Sequence, residues 1–372
     1  MVDKSSNALQ YLIALQQVSG IGNITARQLI AYLGSAEAVF KESPSRLQKV
    51  PGVGALLSKN IQKKDYLALA SDELDFIGRF NIKASTFLDK DYPNRLKQCE
   101  DAPLVLFSKG ASDFNRAIHI SIVGTRKASA YGQHYCQKII TDLKEKGLNP
   151  VIISGLAYGV DSCAHKVALE NDLETWAVLG HGLDTIYPAQ HKQLAKRILE
   201  KGALFTEFSH GIFPAPSNFI SRNRIIAGLS DLTIVVESAK KGGSLVTADL
   251  AFGYHREVMA VPGRIGDAKS EGCNMLIKSN KASMLESVDD IIYTMVWDTE
   301  TKIDNARQLN LFDQMSSEQK QLYSWLKDNE DSPIDKIMKQ SGIEKSKIPA
   351  LLLDLEFINL VKVLPGKCYR AI

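Results

Sequence analysis

Residues 119–126, His-Ile-Ser-Ile-Val-Gly-Thr-Arg, carry the reading that decides the fold. A short β-branched run, His119–Val123, stops abruptly at Gly124 and is followed by a hydroxyl, Thr125, and a guanidinium, Arg126. The same grammar recurs twice. Pro150–Ser154 runs into a turn with Gly155 and Gly159, and Thr175–Leu179 runs into Gly180 and Gly182. Further short apolar runs lie at Ala203–Thr206, Leu232–Val236 and Glu257–Ala260, with amphipathic stretches such as Tyr131–Glu145 and His191–Glu200 between them. Short, continuously apolar strands separated by helices predict an α/β domain. Its sheet is Rossmann-like, mainly parallel and covered on both faces. Such sheets bind ligands outside the C-terminal ends of their strands.

The candidate site residues sit at those ends. Gly124 lets the backbone approach a ligand, while Thr125, Arg126 and Lys127 offer a hydroxyl and two cations. Ser154 and Gly155 close the second strand. Phe219, Arg222 and Arg224 precede an apolar helix, and Lys240, Lys241, Gly243 and Ser244 follow a strand and open another. Amides, a hydroxyl and lysines at a helix N-terminus form an anion site. Taken together these segments predict one phosphate-lined cleft. For either arginine alone, pairing with the protein's own carboxylates is the simpler expectation.

The first zone, residues 1–80, reads as helical and contains a near-repeat. Val18-Ser19-Gly20-Ile21-Gly22 and Val50-Pro51-Gly52-Val53-Gly54 each precede an apolar helix. The pattern resembles a helix-hairpin-helix element, whose amides can face a phosphate, or it merely turns the chain between helices of a small bundle. Residues 81–114 read as a connection, 115–298 as the Rossmann-like domain and 299–315 as a linker. Residues 316–372 read as three helices, near Ser317–Lys327, Ile334–Gln340 and Lys345–Glu356, then a hairpin turning at Pro365-Gly366, as in a winged helix. That segment holds nine Lys/Arg against eight Asp/Glu. A protein contact or a vestigial role suits it better than DNA reading.

Bulk properties narrow the function classes. The 372 residues carry a formal net charge of only +3, so a nucleic-acid partner must be held by a local basic patch. The 45% hydrophobic content supports packed cores. No signal-peptide pattern and no run of 18 apolar residues is present, which predicts a cytoplasmic protein with no membrane partner. Five scattered cysteines without a CxxC pattern predict buried, reduced thiols and no zinc site. The chain lacks GxxxxGK[ST], and Thr185 stands where a dinucleotide fingerprint needs its third glycine. Neither a cofactor nor a metal is expected.

These segments together resemble the DprA/Smf family of DNA-processing proteins. The resemblance rests on Ile122–Arg126, Ser154–Asp161 with His165, Ala177–Asp184 with Tyr187-Pro188, and Arg222–Ser230. Gly243–Ala248, Ala260–Gly263 and Glu271–Asn274 extend it. It implies a cytoplasmic homodimer that is not an enzyme. Such a protein binds single-stranded DNA in a positive pocket, protects incoming strands during natural transformation and loads the RecA recombinase onto them. Phe219 is then the base-stacking residue. Pro216 departs from relatives that carry a lysine there. The alternative is a phosphoribohydrolase-like enzyme on a related core, whose loop needs a glutamate where this chain has Ala248 or Asp249.

Overall fold

A computed structural model describes residues 4–297 and 315–371, apart from 63–64, 111–112, 116–117, 330–331, 358–359 and 365–367. The expected linker 299–315 thus falls outside the described residues apart from Met315, as does the expected turn at Pro365-Gly366. The chain divides into two compact units, residues 1–299 and 300–372.

In the first unit, helices α1 (Lys4–Gln17), α2 (Asn23–Leu33), α3 (Ala36–Lys41), α4 (Pro44–Leu47), α5 (Ala55–Ile61) and α6 (Asp65–Phe80) come first. The near-repeat forms the same turn twice. Gly20 and Gly52 take φ of +85° and +82°, Ile21 N donates to Val18 O and Val53 N to Val50 O, and Gly22 and Gly54 cap α2 and α5. This is a helix-hairpin-helix tandem.

Strands β1 (Lys83–Thr86) and β2 (Val105–Gly110), with helix α7 (Asn94–Lys97) between them, occupy the stretch expected to be a plain connection. They extend the sheet as antiparallel edge strands. The burial of Leu104, Val105 and Phe107 against the N-terminal helices explains why: this short run seals a core shared by bundle and sheet. The helical segment therefore does not stand apart from the sheet.

Seven parallel strands follow: β3 (His119–Val123), β4 (Val151–Ser154), β5 (Thr175–Val178), β6 (Ala203–Thr206), β7 (Leu232–Val235), β8 (Glu257–Ala260) and β9 (Ser283–Met284). All six expected strands are present within a residue of their expected ends. The spatial order is β1-β2-β6-β5-β4-β3-β7-β8-β9. The chain winds outward from β3 to β6, then crosses back so that β7 pairs with the free side of β3, Val123 opposite Val235. That reversal is a topological switch point, where the helices on either side part and leave a crevice.

Helices α8 (Ala130–Glu145), α9 (Val160–Glu170) and α14 (Val288–Met295) cover one face, and α11 (Pro216–Gly228), α12 (Gly243–Gly253) and α13 (Glu271–Lys278) the other. Alternate residues of the central strands supply the two cores, Ile152 one and Ile153 the other. Helix α10 (Lys192–Lys201) packs beside β5 and β6. Cys99 and Cys273 are buried, and burial pushes their thiols up to about 11 and about 12, which leaves them unreactive.

The second unit has helices Ser317–Asp328, Ile334–Gln340 and Ile348–Phe357, with strands β10 (Ser332–Pro333), β11 (Val361–Leu364) and β12 (Cys368–Ala371) in the order β10-β12-β11. The third helix starts at Ile348 rather than Lys345. Lys347 instead pairs with Glu318 at 2.8 Å, ahead of that helix.

Candidate nucleic-acid interface

A cavity of about 600 Å³ opens at the switch point. Three pieces of chain supply most of its lining. The end of β3 supplies Gly124, Thr125 and Arg126, the start of α11 supplies Phe219, Arg222 and Asn223, and the β7–α12 turn supplies Lys241, Gly243 and Ser244.

Local sequence explains each piece. Gly124 is required because a Cβ there would stand 2.5 Å from Val160 Cγ2 and 3.0 Å from Glu237 O. Thr125 is pinned between β7 and α9, its N–H donating to Glu237 O at 2.7 Å and its carbonyl accepting from Val160 N at 3.2 Å. Arg126 is thereby carried into solvent at the cavity mouth, its guanidinium 5.5 Å from the Phe219 ring centre. Such a distance allows cation–π attraction. Pro216 occupies the first turn of α11, where its missing N–H costs nothing. With the helix set there, Phe219, Arg222 and Asn223 fall three and four residues apart and share the face toward the cavity.

Arg222 forms the floor. It is 3% exposed and donates through Nη1 to Val178 O and to Gly155 O, the latter at 2.7 Å. Burial pushes its guanidinium down to about 10, against the opposing pull of Asp161. Asp161 Oδ2 accepts from Gly155 N at 3.1 Å and Ala157 N at 3.4 Å. Burial raises its carboxyl above the ordinary carboxylate range, and Arg222 lowers it. Gly155 exists for this arrangement, since a Cβ there would lie 2.6 Å from the guanidinium. Across the cavity, Ser244 Oγ donates to Ser238 Oγ at 2.9 Å, tying the start of α12 to the end of β7. The N-terminal end of α12, capped by Gly242 without a side chain, borders the space together with the exposed Lys241.

The structure thus gathers Gly124, Thr125, Arg126, Phe219, Arg222, Lys241, Gly243 and Ser244 around one space. It does not gather the rest. Ser154 is buried beneath it, its Oγ donating to Ile122 O at 2.7 Å. Gly155 borders a smaller neighbouring cavity. Lys127 and Lys240 are exposed but lie outside the lining. Arg224 points away: it pairs with Glu207 and donates to Asp101 O, tying α11 to the loop before β2. Residues two apart on a helix are about 200° apart, so Arg222 and Arg224 could not both face the cavity. Tyr187 and Thr247 line the cavity and were not among the expected residues.

The lining carries two accessible cations, helix-terminal amides and exposed aromatic surface. Among the described residues its one carboxylate is Asp161, which already accepts from two amides and lies in the field of Arg222. Asp249, the position a hydrolase loop would use, is exposed and paired with Lys281 at 2.7 Å, outside the cavity.

A family model for DNA recombination-mediator protein A matches residues 83–296. The chain belongs to that family. A second model, for a SAM-like helix-hairpin-helix tandem, matches residues 12–63. Similarity to family members extends over nearly the whole chain. It is 30% identical to the putative DNA processing protein DprA of Mycobacterium tuberculosis, covering 99% of this chain and 95% of that one. The X-ray structure of DprA from Streptococcus pneumoniae superposes with a TM-score of 0.64 at 33% identity, covering 76% of this chain and 97% of that one. DprA from Helicobacter pylori, whose structure was solved for its single-stranded DNA binding mode, superposes at 0.52 with 27% identity, over 58% of this chain and 96% of that one. Among the described residues no helix is long and apolar enough to cross a membrane.

Proposed function

We propose that this family member binds single-stranded DNA in the switch-point cleft, protects the strand, and passes it to the RecA recombinase during natural transformation. The observation that carries the reading is the composition of the cleft: Arg126, Lys241 and the α12 terminus for phosphates, beside the half-buried face of Phe219 for a base. Aromatic faces accept any base, which suits binding without sequence preference. The single-stranded DNA binding named for the Helicobacter pylori relative supports the same reading. The protein acts as a stoichiometric cytoplasmic binder and a homodimer rather than as an enzyme. Lys127, Lys240 and Gly155 flank the path of the strand, whereas Ser154 and Arg224 support the framework. The C-terminal unit serves a protein contact.

Fluorescence anisotropy with labelled oligo-dT and a matched duplex tests the proposal. The native chain is expected to prefer the single strand, with affinity falling about 0.7 log units per phosphate contact for each decade of salt. An Arg126→Ala/Lys241→Ala variant is expected to lose that binding while melting normally. Equal binding by that variant, or affinity indifferent to salt, refutes the assignment of the cleft. Faster RecA filament growth on strands precoated with the native chain tests the hand-over, and sedimentation velocity tests the dimer.

A further inference from the structure

We propose that Tyr187 is a second base-stacking platform, so that the cleft takes two consecutive unpaired nucleotides, one on Phe219 and the next on Tyr187. The proposal rests on the single-strand reading above and adds to it the direction in which the strand leaves. Tyr187, like Phe219, lines both the main cavity and the smaller neighbouring one. The residue is 46% exposed, although it lines a cationic cleft. An aromatic left that open contributes little to core packing and offers a face to a ligand.

Its ring centre is 5.6 Å from that of Phe219, with the planes tilted by only 32°. Two tilted rings at that spacing offer adjoining faces to neighbouring bases of one strand. Phe219 is held in place from behind, because a Cβ at Gly180 would come within 2.8 Å of its Cδ1. Arg126 borders both cavities, so the phosphate linking the two bases meets a cation. Beyond Tyr187, the Tyr158 hydroxyl donates to Gln190 Oε1 at 2.8 Å and its ring meets His191 edge-on at 5.0 Å. These contacts tether Tyr158 as a wall. With Tyr158 after β4 and Tyr187 after β5 both lining the smaller cavity, the path past Phe219 runs over the ends of those two strands.

The test compares the full native chain with Tyr187→Ala and Tyr187→Phe on two labelled oligomers: oligo-dT, and the same length with every second base replaced by an abasic residue. On oligo-dT, Tyr187→Ala is expected to weaken binding about 5- to 150-fold, the loss of one stacked base, while Tyr187→Phe binds as the native chain does. On the alternating abasic oligomer only one platform can be filled at a time, so the Tyr187→Ala penalty disappears. Native-like binding of oligo-dT by Tyr187→Ala overturns the proposal. So does a penalty that persists on the abasic oligomer, because Tyr187 then acts by packing against Phe219. A native chain that ignores oligo-dT altogether instead sinks the underlying single-strand reading, an outcome distinct from either of these.

Discussion

Replacing Arg222 by methionine removes a buried cation while keeping most of its volume. Arg222 is 3% and Asp161 8% exposed, so solvent screens their attraction weakly. Without the guanidinium, Asp161 remains a buried carboxylate that keeps its contacts to Gly155 N and Ala157 N. Arg222 compensates the Asp161 charge through space while donating to Val178 O and Gly155 O, and leaving a buried charge uncompensated costs up to about 3–5 kcal/mol. At about 2 °C per kcal/mol for a unit of this size, thermal melts should fall by up to roughly 6–10 °C.

Adding Asp161→Asn should recover at least half of that loss, since the asparagine carbonyl can accept from both amides without a charge. The pH dependence has a definite sign. Burial already raises the Asp161 carboxyl, with Arg222 opposing it, so loss of Arg222 raises it further. A carboxyl raised on folding favours the folded state below its unfolded value of about 4, and that benefit is lost as pH climbs through the folded value. The Arg222→Met deficit should therefore be large at pH 8 and shrink towards pH 4. Melting curves of the single and double variants at both pH values measure it. A single variant that melts like the native chain, or a double variant no better than the single, refutes the reasoning.

Gly180→Ala should push Phe219 from its seat, because the new methyl would stand 2.8 Å from Cδ1, and so weaken oligo-dT binding with little change in melting. Unaltered affinity would mean that Phe219 moves freely. Gly52→Ala meets no neighbouring atom and should cost only the left-handed backbone strain, about 1–2 kcal/mol, whereas Gly20→Ala also meets Leu57 Cδ2 at 2.9 Å and should cost more. Equal melting of the two variants would contradict this order. Burial pushes His119 down to about 4 and His165 down to about 3. A histidine lowered on folding withdraws stability as pH falls below its unfolded value of about 6.5. Denaturant titrations between pH 6.5 and about 4 should accordingly show these two sites contributing up to about 2.7 kcal/mol per pH unit. A His119→Phe variant that leaves that slope unchanged would exclude His119 from it.

The sequence by itself determined the parallel sheet, because a strand buried on both faces must be apolar throughout and a sharp glycine must follow where the chain turns at a ligand site. His119–Val123 with Gly124 is legible on those grounds, and so is the N-terminal tandem, whose two turns repeat the same glycine spacing. Strands β1 and β2 were not legible. Lys83–Thr86 has no apolar alternation, and Val105–Gly110 stands behind a polar, proline-containing stretch; both are strands because the open edge of β6 and the N-terminal helices need cover. The cleft divides in the same way. Glycines and cations at strand ends announced an anion site, but one chain pattern placed Arg222 and Arg224 together. Only the start of α11 at Pro216, and the 100° between successive helix residues, sent Arg222 to the cavity floor and Arg224 to Glu207. Tyr187 stood in a segment that carries the family resemblance, but nothing local marked it as a cleft residue. It reaches the cleft because the sheet brings the loop after β5 beside α11, a proximity that depends on strand order rather than on neighbouring residues.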